Sequence, residues 1–246
     1  MMKEEEKIWY FKELELAVLL AAGGVEELYG YAVSYRDADD ETLIRCIHGL
    51  IKKGICGSEN GKLTILGETA VWLEKLRMSR TVVRIMGDRD QGQICLAYVA
   101  EDGLVMMEKQ FDEFRIWWLP SEQILTWMEE SGLAPERAEE SAARAQKTGE
   151  LDEGVREELE TLLEQGPDQR TGLMELEQME RRMASFDVIS CGAGFTETRY
   201  LIVKGSIYPY LLTCGMDGKK AEVYSKETWG EIVRNFWSEG DVLERV

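Results

Sequence analysis

Reactive side chains are scarce in this 246-residue sequence, and none stands beside the partners it would need. The single histidine, His48, falls on a predicted helix with no cysteine or carboxylate at ligand spacing. General acid–base work also asks for a group that orients the imidazole, and none is identifiable, so His48 reads as a structural or surface residue. The GxSxG, HExxH, P-loop and GxGxxG patterns are all missing. In the run Gly87-Asp88-Arg89-Asp90-Gln91-Gly92 two closely spaced acids would begin a calcium loop. No glutamate closes it at the required distance, so a polar hairpin turn is expected. Cys191-Gly192-Ala193-Gly194 has the glycines of an anion-binding nest, but reads better as a tight turn between strands. The five cysteines, Cys46, Cys56, Cys95, Cys191 and Cys214, are scattered and form no CxxC pair; they read as reduced core thiols. The expectation is a protein that is not an enzyme, with no catalytic residue, no metal site and no cofactor.

What the sequence offers instead is large, adaptable apolar side chains. In "FRIWWL", strand alternation sets Phe114, Ile116 and Trp118 on one face and Trp117 with Leu119 on the other. In "LVMME", Val105 and Met107 oppose Leu104 and Met106, so a sheet apolar on both sides needs two covers. Methionine-rich surfaces adapt to varied helical partners, which makes Met174, Met179 and Met183 candidate contacts beside Trp117. The formal charge of −18 argues against general binding to nucleic acid or an anionic membrane, and favours solubility. The N-terminal "MMKEEEKIWYF" is acidic where a signal peptide is basic, and the longest apolar run is too short for a bilayer, so a cytoplasmic location is expected.

The elements that would present these side chains fall into four parts. Over residues 1–80, a helix is predicted from 7 to 22 on Ile8, Phe11, Leu14, Val18 and Leu19, ended by Gly23-Gly24. A second helix is capped by Asp39 or Asp40 and carries Leu43, Ile44, Ile47, Leu50 and Ile51 on its apolar face, to Gly54. A hairpin turned at Asn60-Gly61 and a helix from Gly67 to Leu76 follow. This order suggests a winged helix, and with it an alternative reading as a transcription regulator with a C-terminal sensor domain. Acids outnumber bases over this stretch, which weakens a DNA-docking face.

Residues 81–132 read as a four-strand antiparallel meander ended by Pro120, with Ser121 capping a helix on Ile124, Leu125 and Met128. Residues 186–246 repeat that order and end at Ser225 with a helix on Trp229, Ile232, Val233 and Phe236. Gly87 and Gly192, Gly103 and Gly205, and Ser121 and Ser225 match at nearly constant separation, which indicates internal duplication. Pro209 is expected at an edge or bulge. Between the repeats, residues 133–185 form an acidic helical arm, with one helix on Val155, Leu159, Leu162 and Leu163, a break at Gly166-Pro167, and another on Leu173, Leu176, Met179 and Met183. The fold class expected is α+β: a quasi-twofold duplication of a four-strand antiparallel meander plus helix forming a central sheet, with an N-terminal helical, winged-helix-like part and a helical arm between the repeats.

Those parts, in the order "FKELELAVLLAAGG", "LIRCIHGLIKKGIC…GKLTILGETAVWLEKL", "RTVVRIM", "LAYVAEDGLVMME" and a second similar half, resemble the EspG-like family of cytosolic chaperones of type VII (ESX-type) secretion. The resemblance covers about residues 8–240. It implies a quasi-twofold body that binds secreted helical-hairpin proteins of WXG/LXG type and keeps them soluble. It also implies that a loop between early strands and the helical arm grip the substrate. Here those map to Gly87, Asp88, Arg89, Asp90 and Gln91 and to the arm around Met174, Met179 and Met183.

Overall fold

The computed structural model describes residues 7–25, 28–87, 94–135, 139–167, 182–191 and 195–241. The chain is α+β, with a large antiparallel sheet of nine strands and, among the described residues, seven helices. In order these are β1 (Ile8–Lys12), α1 (Glu13–Ala22), α2 (Asp40–Lys52), β2 (Cys56–Glu59), β3 (Lys62–Ile65), α3 (Gly67–Met78) and β4 (Thr81–Gly87). Then come β5 (Ile94–Ala100), β6 (Gly103–Gln110), β7 (Glu113–Pro120), α4 (Ile124–Glu130), α5 (Glu140–Thr148) and α6 (Glu153–Gln165). The chain closes with β8 (Arg182–Cys191), β9 (Phe195–Lys204), β10 (Pro209–Gly215), β11 (Gly218–Val223) and α7 (Lys226–Asp241). Two runs of four strands and a helix, β4 to α4 and β8 to α7, thus follow the expected order. Among the described residues, no helix is long and apolar enough to cross a membrane.

The chain divides into two compact units, each discontinuous in sequence: residues 1–79 with 95–121, and residues 80–94 with 122–246. In the first, the strands run β1-β7-β6-β5. Residues 8–12, expected to be helical, form a strand that pairs with β7, Trp9 against Ile116 and Phe11 against Phe114. The run Ile-Trp-Tyr-Phe is rich in strand-favouring side chains, and alternation lays Trp9 and Phe11 against Trp72 of α3, with ring centroids at 6.3 and 5.9 Å. The helix starts only at Glu13, where the Glu15 carboxylate accepts the Lys12 amide at 3.1 Å. Its residues Leu16 to Leu20 are all buried, as befits a core helix.

Asp39 caps α2 as expected, accepting the Thr42 amide at 2.7 Å. Ile44, expected on the buried face, is 54% exposed, and Leu50 is the residue that α2 buries fully. The β2–β3 hairpin turns at Asn60 and Gly61, both at positive φ (53° and 75°). That pair of left-handed residues is what a two-residue hairpin turn matching the strand twist demands. In the sheet of this unit, both faces of β6 and β7 are buried: Phe114 and Ile116 on one side, Trp117 and Leu119 on the other. The Lys75 ammonium sits 4.0 Å from the Trp118 ring centroid and pairs with Asp102.

In the second unit the strands run β4-β8-β9-β10-β11. Directly paired residues share a face, so the register sorts the side chains. Leu201, Val203, Tyr210, Leu212, Ala221 and Val223 cluster with Ala143 of α5 and Val155 and Leu159 of α6, and the arm helices pack on the sheet. The opposite face carries Phe186 and Tyr200, on which Trp229 of α7 lies with centroids at 4.8 and 6.0 Å. Ser225 caps α7, its hydroxyl accepting the Thr228 amide at 3.0 Å. Ser121 does not play the matching part. It opens a 3-10 turn through Gln123, so Gln123 precedes α4, whose Leu125 is 37% exposed while Ile124 and Met128 are buried.

Three further expectations are corrected. Pro209 lies neither at an edge nor at a bulge; it is the first residue of β10, which has neighbours on both sides. There its missing N–H breaks no ladder bond, and its carbonyl still accepts from Tyr224 at 2.9 Å. Met183, expected on a helix, lies in β8, which begins at Arg182, ahead of Phe186. Cys56 and Cys214 are buried core thiols, but Cys191 is exposed.

The matched glycines Gly103 and Gly205 share a physical reason. A Cβ on Gly103 would collide with the Leu119 carbonyl and the Trp118 ring, and one on Gly205 with the Tyr208 carbonyl and the Tyr210 ring. Gly103→Ala and Gly205→Ala are each expected to lower the unfolding free energy by about 1–3 kcal/mol, read by urea denaturation.

Candidate partner-binding site

Two of the residues expected to contact a partner come together in the second unit. β4 ends at Gly87, which registers with Ala184 of β8, so Gly87 and Met183 stand at one end of the same strand pair. Met183 is half-buried. A bulge between Arg182 and Ala184 breaks the alternation there, and bulges re-aim side chains. Here it brings Arg182 opposite Val203, onto the face that carries the arm. Asp88, Arg89, Asp90, Gln91, Met174 and Met179, with Leu173 and Leu176, lie outside the described residues. Trp117 belongs to the first unit and is 4% exposed, with the Arg115 guanidinium 4.6 Å from its ring centroid, so its surface is spent on packing.

Sequence reasoning missed the charged strip on that face. Asp187, 1% exposed, accepts Arg84 Nε at 3.0 Å and Nη2 at 2.5 Å on one oxygen, and Arg199 Nε at 2.7 Å on the other. Glu197 Oε1 lies 3.6 Å from Arg84 Nη2 and 3.4 Å from Arg199 Nη2. Two guanidiniums are therefore held by two carboxylates across three adjacent strands. Arg182 is the third cation. It is 7% exposed, its Nη2 reaches the Gly87 carbonyl at 3.5 Å, and its Nε and Nη1 have no hydrogen-bond partner.

The arm helices are fastened to the sheet by polar groups as well as by their apolar faces. The Glu158 carboxylate of α6 accepts the Ser206 amide at 2.6 Å, the Ser206 hydroxyl at 2.9 Å, the Ile207 amide at 3.4 Å and the Tyr210 hydroxyl at 2.8 Å. Burial pushes the Glu158 carboxyl up, but the bonds from Ser206, Tyr210 and Ile207 outweigh it and hold it below the usual range. The Tyr210 hydroxyl is driven upward by burial and by that carboxylate. Gln146 of α5 lines the outer edge of β11, its amide oxygen accepting the Val223 amide at 2.8 Å and its nitrogen donating to the Ala221 carbonyl at 3.1 Å. Past α6, the Pro167 carbonyl accepts from the Cys214 thiol at 3.3 Å and Gly166 from the Lys219 ammonium at 2.8 Å.

A carboxylate with a depressed folded pKa stabilises above its unfolded pKa, and that contribution disappears as pH falls through the folded value. The Glu158 fastening should thus be complete at neutral pH and be lost progressively as acidification carries the solution below the ordinary glutamate range. Glu158→Gln is expected to cost about 1–2 kcal/mol at pH 7, and to speed hydrogen exchange at the Ser206 and Ile207 amides. The difference from the parent protein should shrink in acid.

No protein-family model matches the sequence, and no curated protein does either. Among solved structures, the chain is similar to the type VII secretion system chaperone EspG5 of Mycobacterium tuberculosis, solved in complex with the PE25–PPE41 dimer. The superposition has a TM-score of 0.53 at 9% identity and covers 93% of this chain and 95% of that one. The fold is EspG-like. The likeness extends over nearly the whole of both chains.

Proposed function

We propose that this chain is a non-catalytic cytoplasmic chaperone that binds helical secreted proteins of a type VII secretion system. The single observation that carries the reading is the likeness to EspG5 along nearly the full length of both chains. The arm supports it: α5 and α6 bring apolar and polar groups to one face of the second unit's sheet, over β9 to β11. A helical hairpin of WXG/LXG type would lay an apolar stripe against such a body, with methionine and aromatic anchors giving affinity and charge giving discrimination. The contact set of this reading is Gly87, Asp88, Arg89, Asp90 and Gln91 with Met174, Met179 and Met183. Affinity capture from native cytoplasm followed by mass spectrometry tests it. Small secreted helical proteins should be recovered in stoichiometric amounts, and a capture holding none of them would count decisively against the reading.

A further inference from the structure

Helix α2 carries more apolar surface than its own unit covers. Its inner side is closed by Leu50, which is fully buried. One flank stays open: Ile44 is 54% exposed, and Ile47 and Ile51 are half-buried. At 3.6 residues per turn, the steps of three and four between these isoleucines hold them within about 60° of arc, in one row along the helix. Such a row is the seam of a paired helix, whose apolar positions recur by threes and fours. A single exposed isoleucine is ordinary, but every other exposed position of α2 is polar, so the row forms a stripe that a second helix fits.

The charges beside the row select that helix. The first turn of α2 carries Asp40 and Glu41, and the last carries Lys52. Asp39 and Lys53 are engaged within the chain, by the Thr42 amide and by Glu15, whereas Glu41 and Lys52 are exposed. By helical spacing, Glu41, Arg45, His48 and Lys52 all border the same side of the row. Two copies of α2 run antiparallel about a dyad beside Ile47 would set Glu41 of each against Lys52 of the other, at both ends of the seam. A parallel copy would put the two polar flanks on opposite sides and leave those charges unpaired. DNA, the other ligand for a helix with basic residues, would meet the acids at its start.

We propose that the chain forms a twofold dimer through α2, with the isoleucine rows packed antiparallel and Glu41 paired with Lys52 at each end. The proposal is independent of the chaperone reading. The charge of −18 on each chain opposes association at low ionic strength. In physiological salt the Debye length falls to about 8 Å, and the pairs next to the seam dominate. A seam on one helix of 13 residues is a small interface. Its dissociation constant is expected at roughly 10–100 µM.

Sedimentation equilibrium of the full chain in physiological salt, over a series reaching about 300 µM, tests the dimer. The parent protein should show a monomer–dimer equilibrium. Ile44→Asp should remain monomeric throughout; the residue is largely exposed, so the fold should not suffer. Glu41→Lys and Lys52→Glu should each weaken the dimer by about tenfold or more, because each brings like charges together at both ends of the seam. Mixed in equal amounts, these two single variants should associate as tightly as the parent, since each supplies the charge that the other lacks. A parent that stays monomeric over the series would overturn the proposal. So would single variants that dimerise like the parent, which would put the contact elsewhere, and single variants that stay apart when mixed, which would exclude the antiparallel pairing.

Discussion

Asp187→Ala is expected to destabilise the protein by about 3–5 kcal/mol, because it strands Arg84 and Arg199 without their shared counter-charge. Asp187 is 1% exposed and Arg199 4%, so solvent cannot take over the lost role. The fall should appear as a lower urea midpoint with little change in slope. The triple variant Arg84→Met, Asp187→Leu, Arg199→Met should recover most of the loss, since an apolar set of similar volume removes the desolvation cost along with the attraction. Glu197 can stay in that variant because it is partly exposed to water. A triple variant as unstable as the single one would show that the charges do more than hold strands in register.

Trp229→Ala should cost about 3–5 kcal/mol, the usual range for emptying a buried aromatic site. Trp229 is fully buried, meets the rings of Phe186, Tyr200 and Phe236, and its indole N–H points at the Met128 sulfur at 3.1 Å. It fixes α7 to the sheet and to α4 at once. Trp229→Phe keeps the ring contacts and loses the N–H, so it should cost much less. Chemical denaturation followed by far-ultraviolet circular dichroism separates the two. If the alanine variant were nearly as stable as the parent, α7 would not be part of the cooperative core.

The strands from Thr81 to Pro120 were legible because alternation and turn chemistry agree there: Asp102-Gly103 and Phe111-Asp112 separate runs of strand formers. The Asn60-Gly61 turn was legible for the same reason. Ile8–Lys12 misled because Ile8 and Phe11 satisfy a helical step while the run as a whole favours a strand, and only pairing with β7 decides between them. Met183 misled likewise. It continues the spacing of Leu173, Leu176 and Met179, yet the pairing of β8 with β4 and β9 extends the strand back to Arg182. Tertiary pairing overrode local period in both places.

The ion cluster left a fainter trace. Arg84 interrupts the otherwise apolar "TVVRIM" and Asp187 interrupts "FDVI", whereas Arg199 follows the polar Thr196-Glu197-Thr198 and stands out less. A charge within a strand buried on both faces must find a partner, but the partner lies across the sheet and carries no motif. Gly87 and Met183 could be named from the family resemblance. That they share one strand end, with Arg182 turned beside them by a bulge, needed the register.

The side-chain amide of Gln146 lies along β11 much as one peptide unit of a further strand would. A sheet margin closed in this way offers no template to another chain. Should α5 lift away, the Val223 and Ala221 groups would stand open, and molecules could stack edge to edge. Keeping α5 seated therefore guards against self-polymerisation.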